Sequence, residues 1–226
     1  MSDADAMEIP PQPSALRLIA TLGGIAVMSG LLVVSTVQLT APRIAENRRV
    51  ALERAVFSVL PGAVRRESYR VDETGVVQTE ANANLYAGYD ESGALIGYAL
   101  EGAARGYQDV VRLLYGFDPE TETVIGMTVL QSTETPGLGD KIIHDEAFHE
   151  NFRLLDVSRP VEVVKAGEKT EPWQIDGISG ATVSSQAVGE AIRRGAEQRE
   201  AVLTFHRADR ADPIDPTDRT EEGGTQ

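Results

Sequence analysis

Cysteine is absent from all 226 residues, which excludes disulfide staples, thiolate metal sites, iron–sulfur ligation and thiol nucleophiles together. Histidine occurs three times, at His144, His149 and His206, too few for a histidine-rich centre or haem ligation, so no metal site is expected. Positive charge is scarce as well. The 21 Lys and Arg against 35 Asp and Glu leave a net charge of −14, so a polyphosphate duplex is repelled and nucleic acid is excluded as the default partner. If electrons move through this chain, they require an organic cofactor. At about 150 residues per domain, the length fits one domain with appendages or two small ones.

What is present begins with an apolar run. Residues 18–39 contain no Asp, Glu, Lys or Arg, and as a helix 22 residues reach about 33 Å, enough to cross a hydrocarbon core. The competing reading is a cleaved signal peptide, whose apolar core is only about 7–15 residues long. Leu39, and Pro42 after Ala41, also spoil the small-residue exit that cleavage requires. An uncleaved transmembrane helix over 16–41, after an N-terminal cytoplasmic segment 1–15, is therefore expected. Ala26 and Gly30 within it are spaced for close approach of a second helix, or are small residues tolerated in any membrane helix. Arg43, Arg48, Arg49 and Arg54 follow the span while Arg17 precedes it. That count alone places the large C-terminal part in the cytoplasm, although long domains translocate largely regardless of flanking charge.

Beyond the span, residues 44–60 read as an amphipathic helix stopped by Pro61-Gly62, and 42–84 as a helical linker and the start of a soluble domain. From Leu85 the period becomes that of strands. Residues 86–89 and 95–100 flank the turn Asp90-Glu91-Ser92-Gly93, and 110–117 and 123–130 flank Asp118-Pro119-Glu120-Thr121. A short helix over 144–154, a strand over 161–165 and a last helix over 183–203 complete a domain at 85–205. The expected fold class is α+β, a mainly antiparallel sheet flanked by helices. From Ala208 onward six acids surround one large aliphatic residue, Ile214, so 206–226 reads as a disordered acidic tail.

Chemistry concentrates in Asp176-Gly177-Ile178-Ser179-Gly180-Ala181-Thr182-Val183-Ser184-Ser185, directly ahead of the last helix. Small residues at a helix entrance expose backbone N–H groups and the positive dipole end, which suits a phosphate. Ordinary N-capping by Thr182, Ser184 or Ser185 is the alternative. No Gly-Lys-Ser/Thr follows, so this is no Walker loop, and the spacing is not that of a nucleophile elbow. No Ser–His arrangement has a recognisable spacing either, and no catalytic residue is expected.

The segment Asp176-Gly-Ile-Ser-Gly-Ala-Thr182 resembles the flavinylation motif of the FMN-binding domain in the G subunit of the Rnf ion-translocating electron-transport complex and in the C subunit of the sodium-pumping NADH:quinone oxidoreductase. Glu134-Thr135-Pro136-Gly137-Leu138-Gly139-Asp140-Lys141, Gly106-Tyr107 and Val163-Val164-Lys165 match the same pattern in order, and the resemblance extends over roughly 16–203. Gln108-Asp109 departs from it where further glycine is expected.

The resemblance implies a covalent FMN, joined through its phosphate to Thr182 by a flavin transferase, within a site formed by Asp176, Ser179, Gly180, Ala181, Val183 and Ser184. It implies also that Leu138 covers an isoalloxazine face beside Gly137 and that Glu134 or Thr135 hydrogen-bonds the ring edge. Lys165 is either a countercharge to the phosphodiester or a solvated strand-end lysine. The implied function is that of an electron carrier within a complex that couples electron transfer between ferredoxin and NAD to ion translocation, a translocase component without turnover of its own. Implied partners are the membrane subunits, a second flavoprotein subunit and lipid, with the domain on the periplasmic side of a bacterial inner membrane. The C subunit of the quinone reductase and a flavin-free membrane-anchored assembly protein stand as alternatives.

Overall fold

The structure, a computed structural model, describes residues 14–72, 75–80 and 82–211. It divides into a unit up to Val50 and a unit from Ala51. Helix α1 (Ala15–Val59) runs without interruption through Pro42, where the sequence suggested a break. Proline removes one hydrogen bond from a helix, whereas restarting the helix would mean a second unfavourable nucleation. None of its most apolar 18-residue window is buried within the protein, and Leu22, Leu31, Leu32 and Val33 are all more than 60% exposed. A core helix would hide such side chains, so the apolar surface here is matched to lipid.

Seven strands form one antiparallel sheet: β1 (Arg65–Asp72), β2 (Gly75–Gln78), β3 (Leu85–Tyr89), β4 (Leu95–Arg105), β5 (Val110–Asp118), β6 (Thr123–Gln131) and, after helices α2 (Lys141–His144) and α3 (Glu146–Glu150), β7 (Leu155–Asp156). Their spatial order is β2-β1-β3-β4-β5-β6-β7. Strands β8 (Glu162–Val164) and β9 (Gln174–Asp176) make a separate parallel pair. Helices α4 (Thr182–Arg194) and α5 (Ala196–Ala211) close the described chain. Both expected hairpins are present, and α+β is the fold class.

Alternation explains how the sheet is buried on two faces. Leu85, Ala87, Leu100, Leu113 and Tyr115 belong to the core shared with Phe148, Val188, Ile192 and Val202. Their neighbours Tyr86, Ala99 and Leu114 instead pack with Ala55, Val56, Val59 and Leu60 at the end of α1. That second seat is floored by glycine. Gly88 and Gly97 face each other across β3 and β4, and Gly116 and Gly126 across β5 and β6. A Cβ on Gly88 would lie 2.6 Å from Leu60 Cδ1, one on Gly126 3.0 Å from the Val59 carbonyl oxygen, and one on Gly116 would overlap that same oxygen.

Four local expectations are corrected. β1 and β2 lie within the segment 42–84, read as helical linker and start of the soluble domain, ahead of the first expected strand; β2 is the edge strand with β1 beside it, and a stretch such as Arg65-Arg66-Glu67-Ser68 shows little of the apolar pattern that marks a strand. The helix expected over 144–154 is split at Asp145, whose carboxylate accepts the Phe148 N–H at 3.0 Å and caps α3. The last helix breaks at Gly195, where a Cβ would strike the Tyr115 hydroxyl. Buried Arg199 there donates to the Ile192 carbonyl (2.5 Å) and Tyr115 Oη (3.2 Å), satisfying the end of α4. Helix α5 continues to Ala211, past the expected start of the acidic tail at 206. Phe205 packs against Tyr69 at 5.5 Å and His206 meets the Tyr98 ring edge-on at 6.0 Å, giving the extension apolar contacts. Residues 212–226, and the segment 1–13, lie outside the described residues.

Gly116→Val is expected to destabilise the full chain by about 1–3 kcal/mol, the usual range for overpacking, measured by denaturant titration in detergent. Acid should also loosen the domain. Hydrogen bonds from Ser92 to Asp90, from Ser158 to Asp156 and from Arg193 to Glu190 hold these three carboxyls below their ordinary values. Groups lowered in the folded state contribute stability above their unfolded values and lose it as pH falls through the folded ones. Burial raises Glu101 and opposes this in part. The melting temperature is therefore expected to decline as pH is lowered from about 5 toward 2, and thermal scans across that interval check it.

Candidate functional site

Helix α4 opens without a side-chain cap: Ala181 holds the N-cap position at φ −128° and ψ 35°. Gly180 before it takes φ +84°, a left-handed conformation suited to glycine. Ser184 and Ser185 are occupied, whereas Ser179 ahead of them is exposed and makes no side-chain hydrogen bond among the described residues. Ser185 Oγ accepts the Ile178 N–H (3.0 Å) and donates to the Ala181 carbonyl (3.0 Å). Ser184 Oγ–H donates to Glu134 Oε2 at 2.6 Å. Both serines are buried, whereas Thr182 is exposed and makes no side-chain hydrogen bond among the described residues. The backbone N–H groups of Thr182, Val183 and Ser184 likewise find no protein acceptor there, as the first turn of a helix requires.

Two cavities meet at Thr182. The first, about 510 Å³, is lined by Tyr107, Glu134, Thr135, Leu138, Val183 and Ser184 with Gly139, Gly180 and Ala181. Its rim is apolar: Tyr107 is 71% exposed, Leu138 51% and Val183 45%. The second, about 720 Å³, is more polar and brings Lys165, Ser179 and Gln186 to Thr182 and Gly180. Gly137, at φ +77°, turns the chain into Leu138. Thus Glu134, Thr135 and Leu138 are gathered with Gly180, Ala181, Thr182, Val183 and Ser184, while Lys165 and Ser179 stand on the opposite side of Thr182. Asp176 lines neither of these two cavities. Its carboxylate accepts the Gly167 N–H at 2.7 Å and fixes the turn after Lys165.

Two residues that sequence reasoning missed hold this arrangement. Buried Asn151 accepts the Asp176 N–H (3.0 Å) and donates to the Asp176 carbonyl (3.2 Å), clasping the strand that leads into the motif, and Lys169 donates to it at 3.2 Å. Burial lowers the Lys169 ammonium from its ordinary value, with Asp176 opposing. Nothing in a lone Asn on an amphipathic helix signals such a role. Gln108, the departure from the motif pattern, donates its N–H to Glu134 Oε1 (3.1 Å) and its side-chain amide to Thr135 Oγ1 (2.9 Å). Glu134 Oε1 also occupies the space a Cβ on Gly106 would need.

A helix start with three acceptor-free N–H groups, an accessible hydroxyl and an apolar-rimmed cavity suits a phosphate ester bearing a flat ring. Cavity dimensions agree with small-molecule sites, about 300–1,000 Å³. Residues 106–197 match the model of the FMN-binding domain. The chain is 32% identical over 178 residues to the G subunit of the ion-translocating oxidoreductase complex of Methanosarcina acetivorans, covering 78% of this chain and 89% of that one. It is 30% identical over 121 residues to the G subunit of the Na(+)-translocating ferredoxin:NAD(+) oxidoreductase complex of Acetobacterium woodii, covering 53% and 56%. The fold matches that of the C subunit of the Na(+)-translocating NADH-quinone reductase from Parabacteroides distasonis, with a TM-score of 0.58 at 19% identity over 72% of this chain and 96% of that one. The site and the domain define an FMN-binding protein. The chain belongs to the family of G subunits of ion-translocating oxidoreductase complexes.

Asn151→Ala removes both partners of the Asp176 backbone and is expected to destabilise the domain by about 1–3 kcal/mol. Hydrogen exchange should quicken at Asp176 and through the following loop while the β4–β5 amides stay protected.

Proposed function

We propose that this chain is an electron-carrying subunit of an Rnf-type complex, with FMN joined through its phosphate to Thr182. The observation that carries the reading is the state of the hydroxyls at the α4 start. Ser184 and Ser185 are buried and bonded, whereas Thr182 is exposed and unbonded between the two cavities. A modifying enzyme reaching this helix meets Thr182 before either of them. The phosphodiester keeps one negative charge, and the helix dipole favours it there by about 0.3–1 kcal/mol. Lys165, across the second cavity, supplies positive charge on the same side. Leu138, Tyr107 and Val183 offer apolar surface to the ring, and Glu134 and Thr135 the polar floor.

FMN, when bound, supplies acceptance and donation of electrons, and the chain's part is to hold and tune it. No acid or base in the chain needs to act on a substrate. Electrons pass between ferredoxin and NAD through membrane partners while ions cross, the reaction named for the Acetobacterium relative. Residues 16–41 form the anchor, residues 1–15 lie in the cytoplasm, and the domain faces the periplasm, where a flavin transferase attaches the cofactor. The family match is set against the arginine count for this orientation. A reporter enzyme fused after residue 203 is expected to be active in the periplasm; activity confined to the cytoplasm would overturn the placement.

Thr182→Val removes the hydroxyl and keeps the shape. In a host supplying the flavin transferase, the wild-type chain is expected to give a fluorescent band on a denaturing gel under ultraviolet light. The variant is expected to fold and stay dark. A fluorescent variant would move the attachment to another hydroxyl.

A further inference from the structure

Glu134 is 6% exposed and belongs to no ion pair among the described residues. Each of its oxygens accepts a hydrogen bond: Oε1 from the Gln108 N–H at 3.1 Å and Oε2 from the Ser184 hydroxyl at 2.6 Å. Glycines press on it from two sides, since a Cβ on Gly139 would lie 2.7 Å from Oε2 and one on Gly106 would overlap Oε1. Its nearest favourable field is the start of α4, two residues after Thr182. The side chain is therefore a buried carboxyl group without a paired cation among the described residues, in the wall of the apolar-rimmed cavity. Each oxygen thus has one bond to the protein, which fixes the position of the group in the cavity wall.

We infer that Glu134 sets the reduction potential of the cofactor, its fixed charge in the cavity wall holding the bound flavin at a lower potential than a neutral side chain of the same shape would. The inference rests on the reading that FMN occupies this cavity. Each electron the ring accepts brings one negative charge into the cavity, balanced only where a proton follows from solvent. A carboxylate screened from water by burial opposes that charge far more than an exposed one does. Ser184 and Gln108 keep the carboxylate in place, and as neutral donors they add no countercharge.

The geometry allows charge to be separated from shape. In Glu134→Gln the amide oxygen still accepts from Gln108 N–H, and the amide nitrogen donates to Ser184 Oγ, because a hydroxyl both donates and accepts. The full-length flavinylated chain is titrated against redox dyes in detergent, with the flavin absorbance as readout. E134Q is expected to keep its covalent flavin and to show at least a tenfold higher ratio of reduced to oxidised flavin at a fixed poise, about 30 mV for a two-electron couple. Ser184→Ala removes the donor but keeps the charge, and its potential is expected at or below that of the wild type. An E134Q potential equal to the wild type, or an S184A potential raised as far as that of E134Q, would overturn the inference. A folded but dark E134Q would overturn it too, because Glu134 would then serve attachment. A dark wild-type chain would instead overturn the reading under Proposed function and this inference with it.

Discussion

The seat of α4 on the sheet is the constraint from which the site follows. Ala187, Val188, Ala191 and Ile192 are buried on its inner face, and the helix backbone comes so close to β4 that a Cβ on Gly102 would lie 3.0 Å from the Ala191 carbonyl oxygen. On its other flank Gly189 admits Val163 of β8 into the space a Cβ would fill. A rod held on both sides has its first turn fixed in position. Thr182 is therefore placed by packing a full helix length away, and the glycines at 102 and 189 are as much part of the site as those at 177 and 180.

The same economy of side chains governs what meets that first turn. Glu134 ties the loop 134–140 to Ser184 and the turn at Gln108 to both, so three separate segments converge on one carboxylate. Asn151 and Asp176 hold the other entrance, one through the strand backbone and the other through the turn at Gly167. Polar side chains near the motif mostly bond protein rather than offering themselves to a ligand. Among the described residues of the motif, the exposed hydroxyls without a side-chain hydrogen bond are those of Ser179 and Thr182, and Thr182 is the one on the first turn of α4.

Much of this was legible in the sequence where the signal is local. The apolar run, the two hairpins with their Asp-rich turns and the glycine-threonine helix entrance each rest on period or turn chemistry within a dozen residues. What was not legible depends on partners distant in the chain. β1 and β2 alternate too weakly to stand out; β1 becomes a strand on the edge that β3 offers, and β2 on that of β1. The glycines at 88, 97, 116 and 126 lie inside expected strands, and only the sheet sets them side by side under Leu60 and Val59. Gly195 lies inside the helix expected over 183–203, and the partner that leaves no room for a Cβ there, Tyr115, is 80 positions earlier. Glu134 or Thr135 was read as a contact for the ring edge, and the bonds of Glu134 to Ser184 and Gln108 could not be seen without the fold.

The claim on which everything functional here depends is that one hydroxyl, Thr182, carries the flavin. Trypsin should release residues 170–193 as a single peptide holding Thr170, Ser179, Thr182, Ser184 and Ser185 together. Fragmentation mass spectrometry of that peptide, from wild-type protein made with an active flavin transferase, tests the claim most directly. The account predicts an added mass of FMN less water located on Thr182, with the serines unmodified. The same mass on a serine, or an unmodified peptide from protein matured beside a flavinylated control, would contradict it.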